Sequence, residues 1–179
     1  MIDRYLDSIV NSLEYKNWYA ALFIALTIPD ICGALEHPDK SSSGRYISWY
    51  DKYMLPKYSS RMGPLQEVHV FLSGDDCYAL RCSLLHEGTG DVGKQKISKK
   101  LESVHFSEPS DKGGMLHCNQ YKNVLQLQVD VFCNDFIDAA RQWLSDVQAD
   151  ASIQARMQLL SKIHPAFYFP GFIGRSERS

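Results

Sequence analysis

Trp18-Tyr19-Ala20-Ala21-Leu22-Phe23-Ile24-Ala25-Leu26-Thr27-Ile28-Pro29-Asp30-Ile31-Cys32-Gly33-Ala34-Leu35 is the stretch that decides the fold. It is apolar on nearly every face, and a helix with no polar side belongs in the middle of a bundle. Pro29 removes one backbone donor and is expected to kink it. His37-Pro38-Asp39 ends it. Trp18 to Ile28 is the best membrane candidate, but it has only eleven residues before Pro29-Asp30. About 20 are needed to cross a bilayer, so a buried helix is the expectation.

Working outward, Ile2, Tyr5, Leu6, Ile9, Val10 and Leu13 follow the i, i+3, i+4, i+7 spacing of an amphipathic helix. Downstream, Ser41-Ser42-Ser43-Gly44 offers caps for a helix whose stripe is aromatic: Tyr46, Trp49, Tyr50 and Tyr53. Pro56, Gly63 and Pro64 predict a loop, and Leu65 to Leu72 fits a short helix or a strand equally well. Ser73 with Asp76 resembles a capping box and opens a helix over 74–87, with Gly88 as its stop. Between Thr89 and Val129 the period drops from 3.6 to 2.0. Val104 and Phe106, then Leu125, Leu127 and Val129, alternate with polar neighbours around the turn-forming Pro109 and Gly113-Gly114. Helical spacing then returns.

The predicted architecture is mainly α: a bundle of about five or six helices over 2–13, 18–36, 45–54, 74–87, 131–147 and 151–163. A small antiparallel hairpin or three-stranded insert over 101–129 is expected to hold the only β structure. One domain spans 1–174, and a polar tail, 175–179, is expected to fray.

Composition narrows the class. The 179 residues suit one domain, and 45% hydrophobic with 22% charged residues is ordinary globular usage. A net charge of −2 gives no global attraction for nucleic acid. Five cysteines (Cys32, Cys77, Cys82, Cys118, Cys133) lack paired spacing, unlike a secreted disulfide framework. The start, Met-Ile-Asp-Arg-Tyr-Leu-Asp, is too acidic for a signal peptide. A cytoplasmic protein without membrane association is expected.

The chemistry concentrates in Tyr78-Ala79-Leu80-Arg81-Cys82-Ser83-Leu84-Leu85-His86-Glu87-Gly88. Arg81 falls inside the apolar stripe, where a guanidinium needs a partner, a cleft or an interface. His86 lies one residue before the helix end, where an imidazole protrudes and the dipole favours its charged form. Two readings follow. Either Arg81 is a structural partner of Asp30 or Glu36 and His86 a C-terminal cap, or the pair handles a phosphate.

An arginine, four intervening residues and a histidine on a late helix of a bundle resembles the HEPN superfamily. That resemblance covers the fourth helix and the general helical architecture. It implies a homodimeric, metal-independent ribonuclease of toxin–antitoxin, phage-defence or RNA-processing type. Arg81 would then stabilise the pentacoordinate phosphate, and His86 would serve the 2′-hydroxyl or the leaving oxygen as base or acid. Cys82 departs from the pattern, since active members usually carry a polar residue directly after the arginine. The alternative is a silent HEPN-like module that binds a nucleotide, RNA or a protein partner such as an antitoxin. On an ideal helix five steps of about 100° leave Arg81 and His86 roughly 140° apart. A site shared across a two-fold axis, with both residues contributed by both copies, is therefore expected.

Other motifs carry less. Gly88-Thr89-Gly90-Asp91-Val92-Gly93-Lys94-Gln95 fits Gly-x4-Gly-Lys, but Gln95 replaces the magnesium-binding Ser/Thr and a helix precedes it where a P-loop needs a strand. A flexible glycine loop is expected. Trp49 and its aromatic neighbours could stack bases, with Arg45 and Asp30 as further binding candidates, although core packing is the commoner role of such a stripe. Cys82 and His86 share a helical face, but no second pair completes a metal site. No metal or cofactor is expected.

Overall fold

The computed structural model describes residues 1–95, 98, 100–111 and 113–164. Six helices, α1 (Ile2–Glu14), α2 (Trp18–Glu36), α3 (Ser42–Tyr53), α4 (Gly74–Cys82), α5 (Val129–Asp146) and α6 (Ala151–Gln158), make up most of it. A π-helical turn, Ser83–Glu87, continues α4. The tail 175–179 and the preceding 165–174 lie outside the described residues.

α2 is the central helix, as its composition demands. It packs on α1, α3, α4, α5 and α6, and buries Ala21, Leu22, Ala25, Leu26, Ile28, Cys32 and Leu35. The Asn17 side chain caps it by accepting from the Ala20 N–H. Pro29 is buried inside the helix, which runs on to Glu36. Its 19 residues, with a mean hydropathy of 1.6, have the length and composition of a membrane span; half of that stretch is buried within the fold. The eleven-residue measure stopped too early, because Pro29 does not end the helix. α3 approaches α2 closely at Gly33, where an added Cβ would stand 2.6 Å from the Arg45 carbonyl oxygen.

The β structure exceeds the single expected insert. β1 (Ser59–Met62) and β2 (Glu67–Val70) form an antiparallel hairpin in register Ser59 with Val70 and Met62 with Glu67. Its strands are largely exposed, so they carry no alternating apolar face for the sequence to reveal. The second sheet holds β3 (Ser103–Ser107), β4 (Asn119–Tyr121) and β5 (Val124–Gln128) in the order β3-β5-β4. β4 pairs antiparallel with β5, but β3 runs parallel to it. Period-two patterning marks a face and says nothing of strand direction.

Element ends also moved. α6 stops at Gln158 instead of 163, leaving Leu159 and Ile163 84% and 93% exposed. Beyond the helix end Leu160 still packs against the core, so part of the apolar spacing is used without helical geometry. α5 starts at Val129, directly from the last residue of β5.

Candidate functional site

α4 begins at Ser73, whose hydroxyl oxygen accepts from the Asp76 N–H and whose hydroxyl donates to the Asp76 carboxylate at 2.6 Å. The other carboxylate oxygen of Asp76 accepts from Ser98 and from the Lys100 N–H. This anchors the helix and sets Arg81 toward α2. There Arg81 Nε donates to Asp30 Oδ2 at 2.9 Å, with 22% and 17% of the two side chains exposed. Asp30 is thus the acidic partner. Glu36 is engaged elsewhere, accepting from Trp143 Nε1 and facing Lys52.

The decisive feature follows Arg81. In the π-helical turn hydrogen bonds run from i to i+5, so residues five apart come round to one side. Arg81 Nη1 lies 3.2 Å from His86 Nε2. Arginine has no acceptor, so it donates and His86 Nε2 carries the lone pair. The separation expected on one helix is therefore corrected: it assumed regular α geometry, which ends at Cys82. Gly88, at φ +71°, closes the turn, with its N–H on the Leu84 carbonyl and the Thr89 N–H on that of Ser83. Ser83 is buried and donates to the Asp91 carbonyl, fixing the turn from below.

Charge and burial compete at this pair. Burial raises the Asp30 carboxyl above its ordinary range, and the charges of Arg81 and Arg45 pull it back only in part. Burial also works against the Arg81 guanidinium, but Asp30 and Cys82 outweigh it and raise its pKa further. Burial prevails at Asp30 and the ion pair prevails at Arg81, so the two effects largely offset and the pair adds little net stability. Its clear consequence is orientation: Asp30 fixes one edge of the guanidinium, leaving the other edge at the half-open surface with the exposed His86.

The remaining sequence candidates divide. Arg45 is half-buried near Asp30, and its Nε has no hydrogen-bond partner among the described residues. Trp49 is 1% exposed and packs at 5.2 Å on Tyr53, so it is a core residue and cannot stack a base. Tyr46 and Tyr50 are fully buried beside it. The glycine loop is not free either: the Gly90 carbonyl accepts from Val104, and Asp91 bridges to Ser103, laying the loop along β3. An added Cβ on Gly90 would strike the Val104 carbonyl oxygen at 2.2 Å.

Sequence reasoning missed a second polar cluster. Asp135 of α5 accepts from Lys57 at 2.8 Å and from Tyr58 at 3.1 Å, and lies 3.8 Å from His117 Nε2. These residues are far apart in the chain and match no motif, so spacing offered no signal. A cleft of about 300 Å³ also opens between the start of α2, the π-turn and β3. No family model, curated protein or solved structure matches the chain.

Proposed function

We propose that the protein is a HEPN-like, metal-independent endoribonuclease acting as a homodimer, with Arg81 and His86 as its catalytic residues. One observation carries the reading: a guanidinium oriented by Asp30 donates to the Nε2 lone pair of an exposed imidazole. An arriving phosphodiester competes for the guanidinium, which offers two parallel N–H donors to its oxygens. Release of His86 Nε2 lets it take the 2′-hydroxyl proton. The 2′-oxygen then attacks phosphorus, the 5′-oxygen leaves and takes up a proton, and a cyclic phosphate and a 5′-hydroxyl result. Arg81 stabilises the charge that builds on the phosphoryl oxygens.

The dimer rests on α2. Eight of its incompletely buried residues, Tyr19, Ala20, Phe23, Ile24, Thr27, Asp30, Ile31 and Ala34, span about 140° of the helix at 100° per residue, while Trp18 and Glu36 at its two ends lie outside that arc. This apolar side contains the Asp30 that holds Arg81. A second copy packed there would bring two Arg81–His86 pairs together, one imidazole as base and the other as acid.

Cys82 favours a second reading, in which the same surface binds a nucleotide, RNA or an antitoxin-like protein without turnover. Incubation with mixed single-stranded RNA in EDTA separates the two. Cleavage that falls about 10²–10⁴-fold in His86→Ala supports the enzyme. An intact pool at high protein concentration rejects the enzyme and favours the binding module.

A further inference from the structure

Trp18 and Tyr19 at the start of α2 face Phe106 of β3 across the 300 Å³ cleft, with Leu84 and Gly88 of the π-turn along its side and Glu108 also on its lining. We propose that this cleft is a base-binding subsite selective for guanine, which deepens the ribonuclease reading by naming the nucleotide beside the scissile phosphate.

Two features point to a flat, neutral ring with hydrogen-bond donors along one edge. The lining sets the rings of Trp18, Tyr19 and Phe106 among aliphatic and polar groups, which suits stacking, and every base offers a π-face. Glu108 is exposed and its carboxylate only accepts, so it repels a phosphate and selects a donor edge. Guanine alone among the four bases presents two adjacent donors, N1–H and N2–H, that a carboxylate can accept side by side. Adenine and cytosine offer an amino group next to an acceptor, and uracil one imino group between two acceptors. A simple organic cation would meet Glu108 as an exposed ion pair, which gains little.

Position ties the cleft to the catalytic pair. Leu84 and Gly88, four residues apart along the turn and its closing glycine, border the cleft, and the exposed His86 lies between them in the chain. Two peptide steps hold the His86 and Gly88 Cα atoms within about 7.6 Å. The cleft and the catalytic histidine are thus neighbours on one turn, close enough for adjoining parts of a nucleotide to meet both.

Tryptophan fluorescence provides the readout. Trp49 and Trp143 are buried, so Trp18 is the tryptophan that a ligand in the cleft can reach. Titrating the full chain with guanosine, adenosine, cytidine and uridine should give saturable quenching, with guanosine binding at least ten-fold tighter than the others. Glu108→Gln should abolish that preference, and Phe106→Ala should weaken all four. Nucleosides lack the phosphate, so His86→Ala should retain guanosine binding. Guanosine binding without RNA cleavage would keep the subsite and reject the enzyme. Equal binding of the four nucleosides, absence of saturable quenching, or competition by tetramethylammonium at matching concentration would overturn the subsite whatever the RNA result.

Discussion

Arg81 serves two groups with different nitrogens, Nε on Asp30 and Nη1 on His86. A lysine ammonium is one point charge on a flexible stem and cannot hold both in a fixed plane. Arg81→Lys should therefore lose most cleavage while keeping the fold by circular dichroism. Arg81→Ala leaves the Asp30 carboxylate half-buried and alone, at a cost of about 2–3 kcal/mol, below the full ~3–5 of a fully buried pair. The double variant Asp30→Asn/Arg81→Gln should recover much of that stability in urea melts and none of the activity. If activity returned with stability, Arg81 would be a structural residue. His117 makes a pH-dependent prediction. Burial lowers its pKa, and Asp135, the Gln128 backbone carbonyl and Asp130 oppose this without reversing it; the Tyr58 ring packs against its edge. The unfolded chain then binds the proton more readily. Stability is fully present above the ordinary imidazole value of 6.5 and falls as pH drops through the lower folded one. The loss has a limiting slope of about 1.4 kcal/mol per pH unit. His117→Gln should flatten urea-melt stability across pH 7 to 5, by no more than that slope; an unchanged profile would show that another group titrates. At this scale the sequence was informative about need: an arginine among apolar neighbours requires an acid, and Asp30 was one of two named. It could not show that Trp143 and Lys52 occupy the other, because those contacts come from α5 and α3.

The π-turn shows what periodicity can and cannot reveal. A helix over 74–87 was legible from its Ser73 cap, its apolar spacing and its Gly88 stop, and all three hold. The widening after Cys82 leaves no mark in such a pattern, because it shifts Leu84 and Leu85 by a fraction of a turn. Yet it decides whether Arg81 and His86 meet. Gly88 makes the turn testable. Its φ of +71° is open to glycine at no steric cost, and nothing lies within 4 Å of an added Cβ. Gly88→Ala therefore carries only the left-handed backbone penalty, about 1–2 kcal/mol. Gly88→Asn should cost less, since asparagine tolerates that region. Thermal melts that rank alanine above asparagine would contradict the left-handed closure. The β1–β2 hairpin was illegible for the opposite reason: its signal lies in Gly63 and in Gln66 at φ 53°, not in burial.

At the scale of the molecule, α2 poses the remaining problem. Its all-round apolar composition placed it at the centre of a bundle, and that placement is correct on one side only. Half of its hydrophobic window is buried, and Phe23, Ile24 and Ile31 are packed against the core only in part. A two-fold axis was first suggested by the angle between Arg81 and His86, and the π-turn removes that argument. What remains is the apolar side of α2 and the chemistry, which needs one group to take a proton and another to return one. A charge on that side should prevent a second copy from packing while costing the monomer only the partial core packing of the replaced side chain. Phe23→Glu is expected to sediment as a monomer, to keep its helical circular dichroism, and to lose at least ten-fold in RNA cleavage per chain. A Phe23→Glu monomer that cleaved RNA at the parent rate would confine catalysis to a single Arg81–His86 pair, and the exposed side of α2 would then serve some other partner.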